Sequence, residues 1–142
     1  MAIQQLTVFL ENKQGKLAEV TRVLAKSGID LRALSIADTA EFGILRLIVS
    51  NTEKAKQILA ADGTLVQITE VVGVQLSDRP GELAEVLSAL DQKGVNVEYL
   101  YAFLTRNENS AYVVLRVADN VAAEKTLQAS GFRLVEAKDI AS

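Results

Sequence analysis

The residues able to do chemistry in this chain are few, and the most suggestive ones occur twice. There is no histidine and no cysteine. Their absence removes the commonest metal ligand, the commonest general base near neutral pH, thiolate nucleophiles and disulfides. Serine, threonine, lysine and carboxylates remain, but no nucleophile–base pairing, phosphate loop or metal-ligand spacing joins them. What recurs is a short loop pattern, Asn12-Lys13-Gln14-Gly15-Lys16-Leu17 and again Asp78-Arg79-Pro80-Gly81-Glu82-Leu83. Each loop runs into what reads as the start of a helix. The first N–H groups of a helix have no partner within it, so that end attracts anions through those donors and the helix dipole. Gly15 and Gly81 let a ligand approach the backbone without meeting a Cβ. Asn12 and Asp78 can accept hydrogen bonds from a cation, as can Asp30 and Asn96 further along each half. The competing reading is that Asn12 and Asp78 only order the turn ahead of the helix, and that Asp30 and Asn96 are solvated residues at a strand start.

The elements that must position these residues are themselves repeated. At an offset of 66, eight of the 23 positions from Asn12 to Leu34 are identical, among them Gly15, Leu17, Val20, Leu24 and Gly28. Ordinary composition gives roughly one or two by chance. Later in each half the offset becomes 68, matching Ala55 with Ala123, Leu59 with Leu127 and Gly63 with Gly131. The added residues fall near the polar run Arg106–Ser110. The chain is therefore a duplication, with modules at 1–69 and 70–142 and no Pro/Gly/Ser linker between them.

Each half predicts the same elements. A strand alternates Leu6, Val8 and Leu10, or Val72, Val74 and Leu76, on one face. A helix follows, with Leu17, Val20 and Leu24, or Leu83, Val86, Leu87 and Leu90, at spacings of three and four. Gly28 and Gly94 stand where a helix-terminating glycine belongs. A second strand is expected at Ile29–Ile36 and Val95–Phe103, and a third at Gly43–Val49 and Ala111–Val117. A second helix is expected at Thr52–Ala61 and Val121–Ala129, and a last strand at Leu65–Thr69 and Phe132–Ala137. The order β-α-β-β-α-β, twice, predicts an α+β protein of two tandem ferredoxin-like modules, antiparallel sheets with helices on one face. If Leu45, Leu47 and Val49 face the helices, then Ile44, Arg46 and Ile48 line the other face with Phe9, and Tyr112, Val114 and Arg116 do so in the second half. That surface is apolar enough to predict that it is packed.

Composition narrows the function classes. The chain has 142 residues, 49% hydrophobic, with a formal charge of −3 and no cluster of Lys or Arg, so nucleic acid is disfavoured as a partner. No apolar run approaches the ~18 residues of a membrane span. The N-terminus, Met-Ala-Ile-Gln-Gln, lacks the basic and apolar regions of a signal peptide, and a cytoplasmic protein is expected.

The pattern strand, then Asn/Asp-x-x-Gly-x-Leu-x-x-Val, then Gly-[Ile/Val]-[Asp/Asn] is similar to that of ACT domains. It stands here as Asn12–Leu17 with Gly28-Ile29-Asp30, and as Asp78–Leu83 with Gly94-Val95-Asn96, so the resemblance covers nearly the whole chain in two copies. With no catalytic domain attached, the chain resembles the stand-alone tandem ACT proteins of bacteria. The resemblance implies a regulatory protein that binds an amino acid or another small ligand, is not an enzyme and needs no cofactor or metal. It implies a homodimer with a regulated enzyme or transcriptional system as partner, and no nucleic-acid or membrane partner.

ACT ligands sit between the first loop of one module and the second strand of its neighbour. Carried over, the binding positions are Asn12, Lys13, Gln14, Gly15, Lys16 and Leu17 with Asp30 and Leu31 in one half. In the other they are Asp78, Arg79, Pro80, Gly81, Glu82 and Leu83 with Asn96 and Val97. Some serine-binding members carry a polar or histidine residue two positions before the loop Asn; here Leu10 and Leu76 stand there, which permits a more apolar ligand. If a site joins the loop of one half to the strand of the other, the pairs are Asn12 with Asn96 and Asp78 with Asp30. The second pair sets two carboxylates together, so the sites should differ, with the first the better amino-acid site. The alternative is an interaction protein whose ACT sites have degenerated.

Overall fold

The computed structural model describes residues 2–39, 41–104 and 110–141. The predicted loop insertion near Arg106 lies, for residues 105–109, outside the described residues. The chain divides into two compact units, one of Gln4–Thr69 with Ile140–Ser142 and one of Met1–Ile3 with Glu70–Asp139.

In the first unit, β1 (Ile3–Glu11), α1 (Lys16–Lys26), β2 (Leu31–Asp38), β3 (Phe42–Val49), α2 (Thr52–Ala61) and the opening residues of β4 (Leu65–Ser77) follow in order. The strands lie as β2-β3-β1-β4. The antiparallel pairing of β1 with β3 sets Leu6 opposite Leu47 and Val8 opposite Leu45, so the period-two alternation of both strands points the same way. Leu6, Val8, Leu10, Leu45, Leu47 and Val49 form one buried surface, and Val20, Leu24, Ala55 and Leu59 of the two helices pack onto it.

The second unit repeats this with the rest of β4, then α3 (Glu82–Gln92), β5 (Val97–Ala102), β6 (Ser110–Val117), α4 (Asn120–Ala129) and β7 (Arg133–Leu134). The strand order is β5-β6-β4, with β7 also on β4. Its core joins Val72, Val74, Val113 and Leu115 to Val86, Leu90, Ala123 and Leu127. The helix-facing phase assigned to the third strand therefore holds. On the opposite face Ile48 and Val114 are fully buried, and Phe9, Ile44, Arg46, Tyr112 and Arg116 are half-buried.

All four long helices stop in the same way. After α1, the N–H of Gly28 donates to Ala25 O and that of Ile29 to Leu24 O, with Gly28 at φ 72°. This double closure needs a left-handed residue, which glycine adopts without a Cβ penalty. It explains one difference from the expected boundaries: Ile29 and Val95 belong to helix closures, so β2 and β5 begin two residues later, at Leu31 and Val97.

Three further differences appear. β4 runs unbroken through residue 70, so the last strand of one half and the first of the next are one element. The strand expected at Phe132–Ala137 is only Arg133–Leu134; Asp139 then accepts from the Glu136 N–H and the chain turns into a short helix, α5 (Ala137–Ala141). Leu17, expected on the buried stripe of α1, is 38% exposed, whereas its counterpart Leu83 packs against its core.

Gly73 leaves no room for a side chain in the second unit. A Cβ there would lie 2.8 Å from the Val135 Cβ and 3.1 Å from Ile3 Cδ1. Gly73→Ala is expected to lower stability by about 1–3 kcal/mol through overpacking. Urea unfolding checks this, and an unchanged midpoint would contradict it.

Candidate functional site

Three backbone bonds shape the loop between β1 and α1. Asn12 N–H donates to Glu41 O (3.3 Å), Lys13 N–H to Glu11 O (2.8 Å) and Lys16 N–H to Lys13 O (3.3 Å). Gly15, at φ 89°, is the residue that enters the helix, and no side chain caps α1. The second unit copies this: Arg79 N–H donates to Ser77 O (2.9 Å), Glu82 N–H to Arg79 O (3.4 Å), and Gly81 sits at φ 90° with no side-chain cap on α3. Nothing lies within 4 Å of a Cβ built at either glycine, so the backbone there is open to an approaching molecule.

The other helix of each unit is different. Asn51 accepts from Lys54 N–H (3.1 Å) at the start of α2, and Asp119 accepts from Ala122 N–H (3.1 Å) at the start of α4. Each unit thus has one side-chain-capped helix and one uncapped helix, and the uncapped one follows the glycine loop. Asn12 and Asp78 are not the caps that the competing reading would make them.

The two loops differ in charge. In the first, Lys16 lies 3.6 Å from Glu19, and Lys13 lies 4.0 Å from Glu11. In the second, the Ser77 hydroxyl and N–H both donate to the Glu82 carboxylate. Arg79 joins Glu82 (3.2 Å) and grips Glu85 with both terminal nitrogens (3.0 and 3.4 Å). These Ser77 bonds, helped by Arg79, hold the Glu82 carboxyl below the usual carboxylate range. Glu85 and Glu82 in turn raise the Arg79 guanidinium. Both loops thus carry ion pairs, the first from two lysines and the second from Arg79.

At the far end of α1, Asp30 is pinned to β3's exit: its N–H donates to the Ser50 hydroxyl and its C=O accepts from the Ser50 N–H, both at 3.0 Å. Its carboxylate lies 3.3 Å from Arg32. Asn96 occupies the equivalent exposed position in the second unit. A register irregularity follows both, between Leu31 and Ala33 and between Val97 and Tyr99. Bulges of this kind re-aim side chains at strand edges. Leu31 and Val97 are half-buried against their cores. Within one unit the loop and the strand start are separated by the length of α1, whose 11 residues span about 16 Å. One module therefore does not bring Asn12 and Asp30 to one small ligand, nor Asp78 and Asn96.

Two cavities escaped the sequence reading. One, of about 230 Å³, lies where Phe9–Glu11, the start of α1, Phe42 and residues 62–65 converge. The other, of about 260 Å³, is lined by Gln75, Ser77, Glu82, Ser110 and Gly131–Arg133, its counterparts in the second unit. Only the repeat offset, applied to residues far apart in sequence, could have found them. Among the described residues no group of three or more carboxylates could hold a metal ion, and no helix is long and apolar enough to cross a membrane.

Two β-α-β-β-α-β units, each with an uncapped helix behind a glycine loop, define a tandem of ferredoxin-like regulatory modules. The model of the ACT domain pair matches residues 1–142, and the chain belongs to that family, whose domains generally bind amino-acid effectors in regulation. It is similar to protein BT0572 from Bacteroides thetaiotaomicron, with 44% identity over 100% of this chain and 97% of that one, and a TM-score of 0.93. The ligand-free regulatory subunit of aspartate kinase from Thermus thermophilus shares the fold at 16% identity, over 90% of this chain and 91% of that one (TM-score 0.66). The same subunit from Thermus flavus does so at 18% identity, over 89% and 88% (TM-score 0.61). No curated protein matches the chain.

Because Asn12 and Asp78 cap nothing, Asn12→Ala and Asp78→Ala should leave the melting temperature unchanged. Asn51→Ala and Asp119→Ala should each cost about 1 kcal/mol. Thermal unfolding of the four variants checks the contrast; equal losses would make Asn12 a structural residue. The lowered Glu82 gives a second expectation. Its stabilisation is complete above the unfolded value of about 4.3 and is lost as pH falls through the lower folded value. The gap in melting temperature between the native chain and Glu82→Gln should therefore shrink on acidification below about pH 4. A gap constant with pH would contradict it.

Proposed function

We propose that this protein is a non-catalytic regulator that binds an amino-acid effector at the loops opening α1 and α3. In this reading the loop of one module meets the start of the second strand of a module in another copy of the chain, making a homodimer. The observation that carries it is the contrast between helices. α2 and α4 have their first N–H groups capped by Asn51 and Asp119, while α1 and α3 begin uncapped behind Gly15 and Gly81. A carboxylate suits such an end. An ammonium suits the acceptors Asn12 and Asn96. The separation of loop and strand start within a module supports a site completed by a second copy.

The sites are unequal. Asp30 already faces Arg32, Glu82 already receives Ser77, and the pair Asp78 with Asp30 would set two carboxylates together. The Asn12 loop with Asn96 is the preferred amino-acid site, with Lys13, Gln14, Lys16 and Leu17 around it. The protein works in the cytoplasm and passes its ligand state to a partner enzyme; the aspartate kinase subunits that share its fold are regulatory. A second reading, an interaction protein with degenerate sites, draws support from Leu34, Ile36 and Leu100, which stand exposed on the edge strands β2 and β5.

A thermal-shift screen of the full chain against the twenty amino acids separates the two. A ligand at 100 times its Kd stabilises the native state by about 2.7 kcal/mol. One amino acid, or a small set, should raise the melting temperature, and Asn96→Ala should weaken that binding by about tenfold, the loss of roughly one hydrogen bond. No shift with any amino acid at millimolar concentration favours the interaction reading. A shift that Asn96→Ala leaves intact removes Asn96 from the site.

A further inference from the structure

Strand register gives each module two ends. At the loop end of the first module Glu11 faces Phe42 across β1 and β3, and Lys16, Asp62 and Leu65 border the same cavity. At its strand-start end β2 begins and β3 leaves for α2: Asp30 is bonded to Ser50, and α2 opens behind its Asn51 cap. In the second module the loop end gathers Ser77, Ser110 and Arg133. Its strand-start end pairs Val97 with Val117 and opens α4 behind Asp119.

Exposed apolar side chains are divided unevenly among these ends. The loop end of the first module shows Phe42, 49% exposed, and Leu65, 64% exposed, with Leu17 in the first turn of α1. At the repeat-equivalent positions the second module has Ser110, Arg133 and Leu83, and Leu83 packs on its core. Apart from Leu104, just past β5, that end has lost its large exposed hydrophobics. The strand-start ends show the reverse. The second module exposes Val121, at 62%, in the first turn of α4, where the first module has the exposed Glu53. Isolated exposed hydrophobics mean little, but a group of three at one end marks a surface that meets a partner.

A loop end of one copy can meet a strand-start end of another in four ways, and their chemistry differs. Joining two first modules lays Phe42 and Leu65 over Asp30, Arg32, Glu53 and Lys54, and takes those charges out of water against apolar groups. Joining two second modules brings Asp78, Glu82 and Glu85 toward Glu98 and leaves Val121 among charges. Setting the second module's loop end on a first module brings Asp78 to Asp30. Setting the first module's loop end on a second module has none of these costs. Phe42 and Leu65 meet Val121, and neutral Asn96 stands where the first module has a carboxylate. Lys13 and Lys16 approach Glu98, which is 49% exposed and whose partner in the chain, Arg116, lies 3.6 Å away.

We propose that a second copy of this chain docks on the apolar loop end of the first module through the strand-start end of its own second module, with Leu17, Phe42 and Leu65 packed against Val121. A two-fold axis makes this contact twice, so the assembly closes as a dimer. The four apolar side chains are the buried anchors of the interface, and the charged and amide groups form its rim. The inference rests on the homodimer of the proposed function and assigns which module meets which, through side chains that touch no ligand. The edge strands β2 and β5, with Leu34, Ile36 and Leu100, stay outside the contact.

The test is analytical ultracentrifugation of the full chain over a concentration series. The variants are Phe42→Ser, Leu65→Arg and Val121→Glu, each giving an exposed position the residue that the other module carries there, with Leu100→Ser as the edge-strand control. The inference expects the native chain to be a dimer and each of the three variants to weaken dimerisation by about tenfold or more. Leu100→Ser should leave the dimer unchanged. Mixing Leu65→Arg chains with Val121→Glu chains should restore a dimer, because one contact is then native and the other sets the introduced guanidinium against the introduced carboxylate. A monomeric native chain overturns the inference. So does a dimer unchanged in both Leu65→Arg and Val121→Glu, or a mixture that stays monomeric. The amino-acid thermal-shift screen separates this outcome from that of the effector site. A shift lost in Asn96→Ala, in a dimer that Leu65→Arg and Val121→Glu leave intact, keeps the loop site and overturns this interface. The expected sedimentation pattern with no amino-acid shift upholds the interface and removes the effector.

Discussion

The structure depends on one packing event, made twice: two helices laid side by side on a single sheet face through Leu24 and Leu59, and again through Leu90 and Leu127. All four leucines are fully buried. A module of about 70 residues has little apolar surface to spare, so these positions leave no latitude. Their spacing from the glycines that close each helix determines where each strand begins. The placement of Asp30 and Asn96 follows from it, because each stands two residues after such a glycine.

The core has been kept while the rim has diverged. Val20 and Val86, Ala55 and Ala123, and the closing glycines are identical between modules. The charges around the uncapped helices are not. Lys16 becomes Glu82, and Leu65 becomes Arg133. Exposed charges contribute little to stability, typically under about 1 kcal/mol per pair, so their sign can change without harm to the fold. The result is one loop whose ion pairs start from Lys13 and Lys16 and one whose pairs converge on Arg79.

Much of this was legible in the sequence. Period-two alternation in Leu6, Val8 and Leu10 gave the core face of β1, and α2 falls on the residues predicted for it. The repeat gave the two-module ACT architecture, because the same elements recur in the same order. What stayed hidden depends on through-space events. Leu17 sits in the first turn of α1 and is exposed, so periodicity overstates its burial. The turn that cuts the last strand to two residues depends on Asp139 reaching back to Glu136 and Arg133, which no local pattern announces. That Asn12 caps nothing becomes visible only once Gly15 is seen to enter the helix itself. The cavities combine residues more than fifty positions apart, such as Phe9 with Leu65. The loops and strand starts of the proposed site came from the sequence; that α1 holds them apart within one module did not.

The glycine entries to α1 and α3 have a consequence for how such a protein changes over generations. A helix whose start is set by a backbone conformation needs nothing from the side chains around it. Asn12 and Asp78 are therefore released from capping, and drift at these two positions is nearly free. The lineage can alter what the loops recognise, one residue at a time, without passing through an unfolded ancestor. Duplication doubles this freedom, since one copy can retain an old specificity while the other explores.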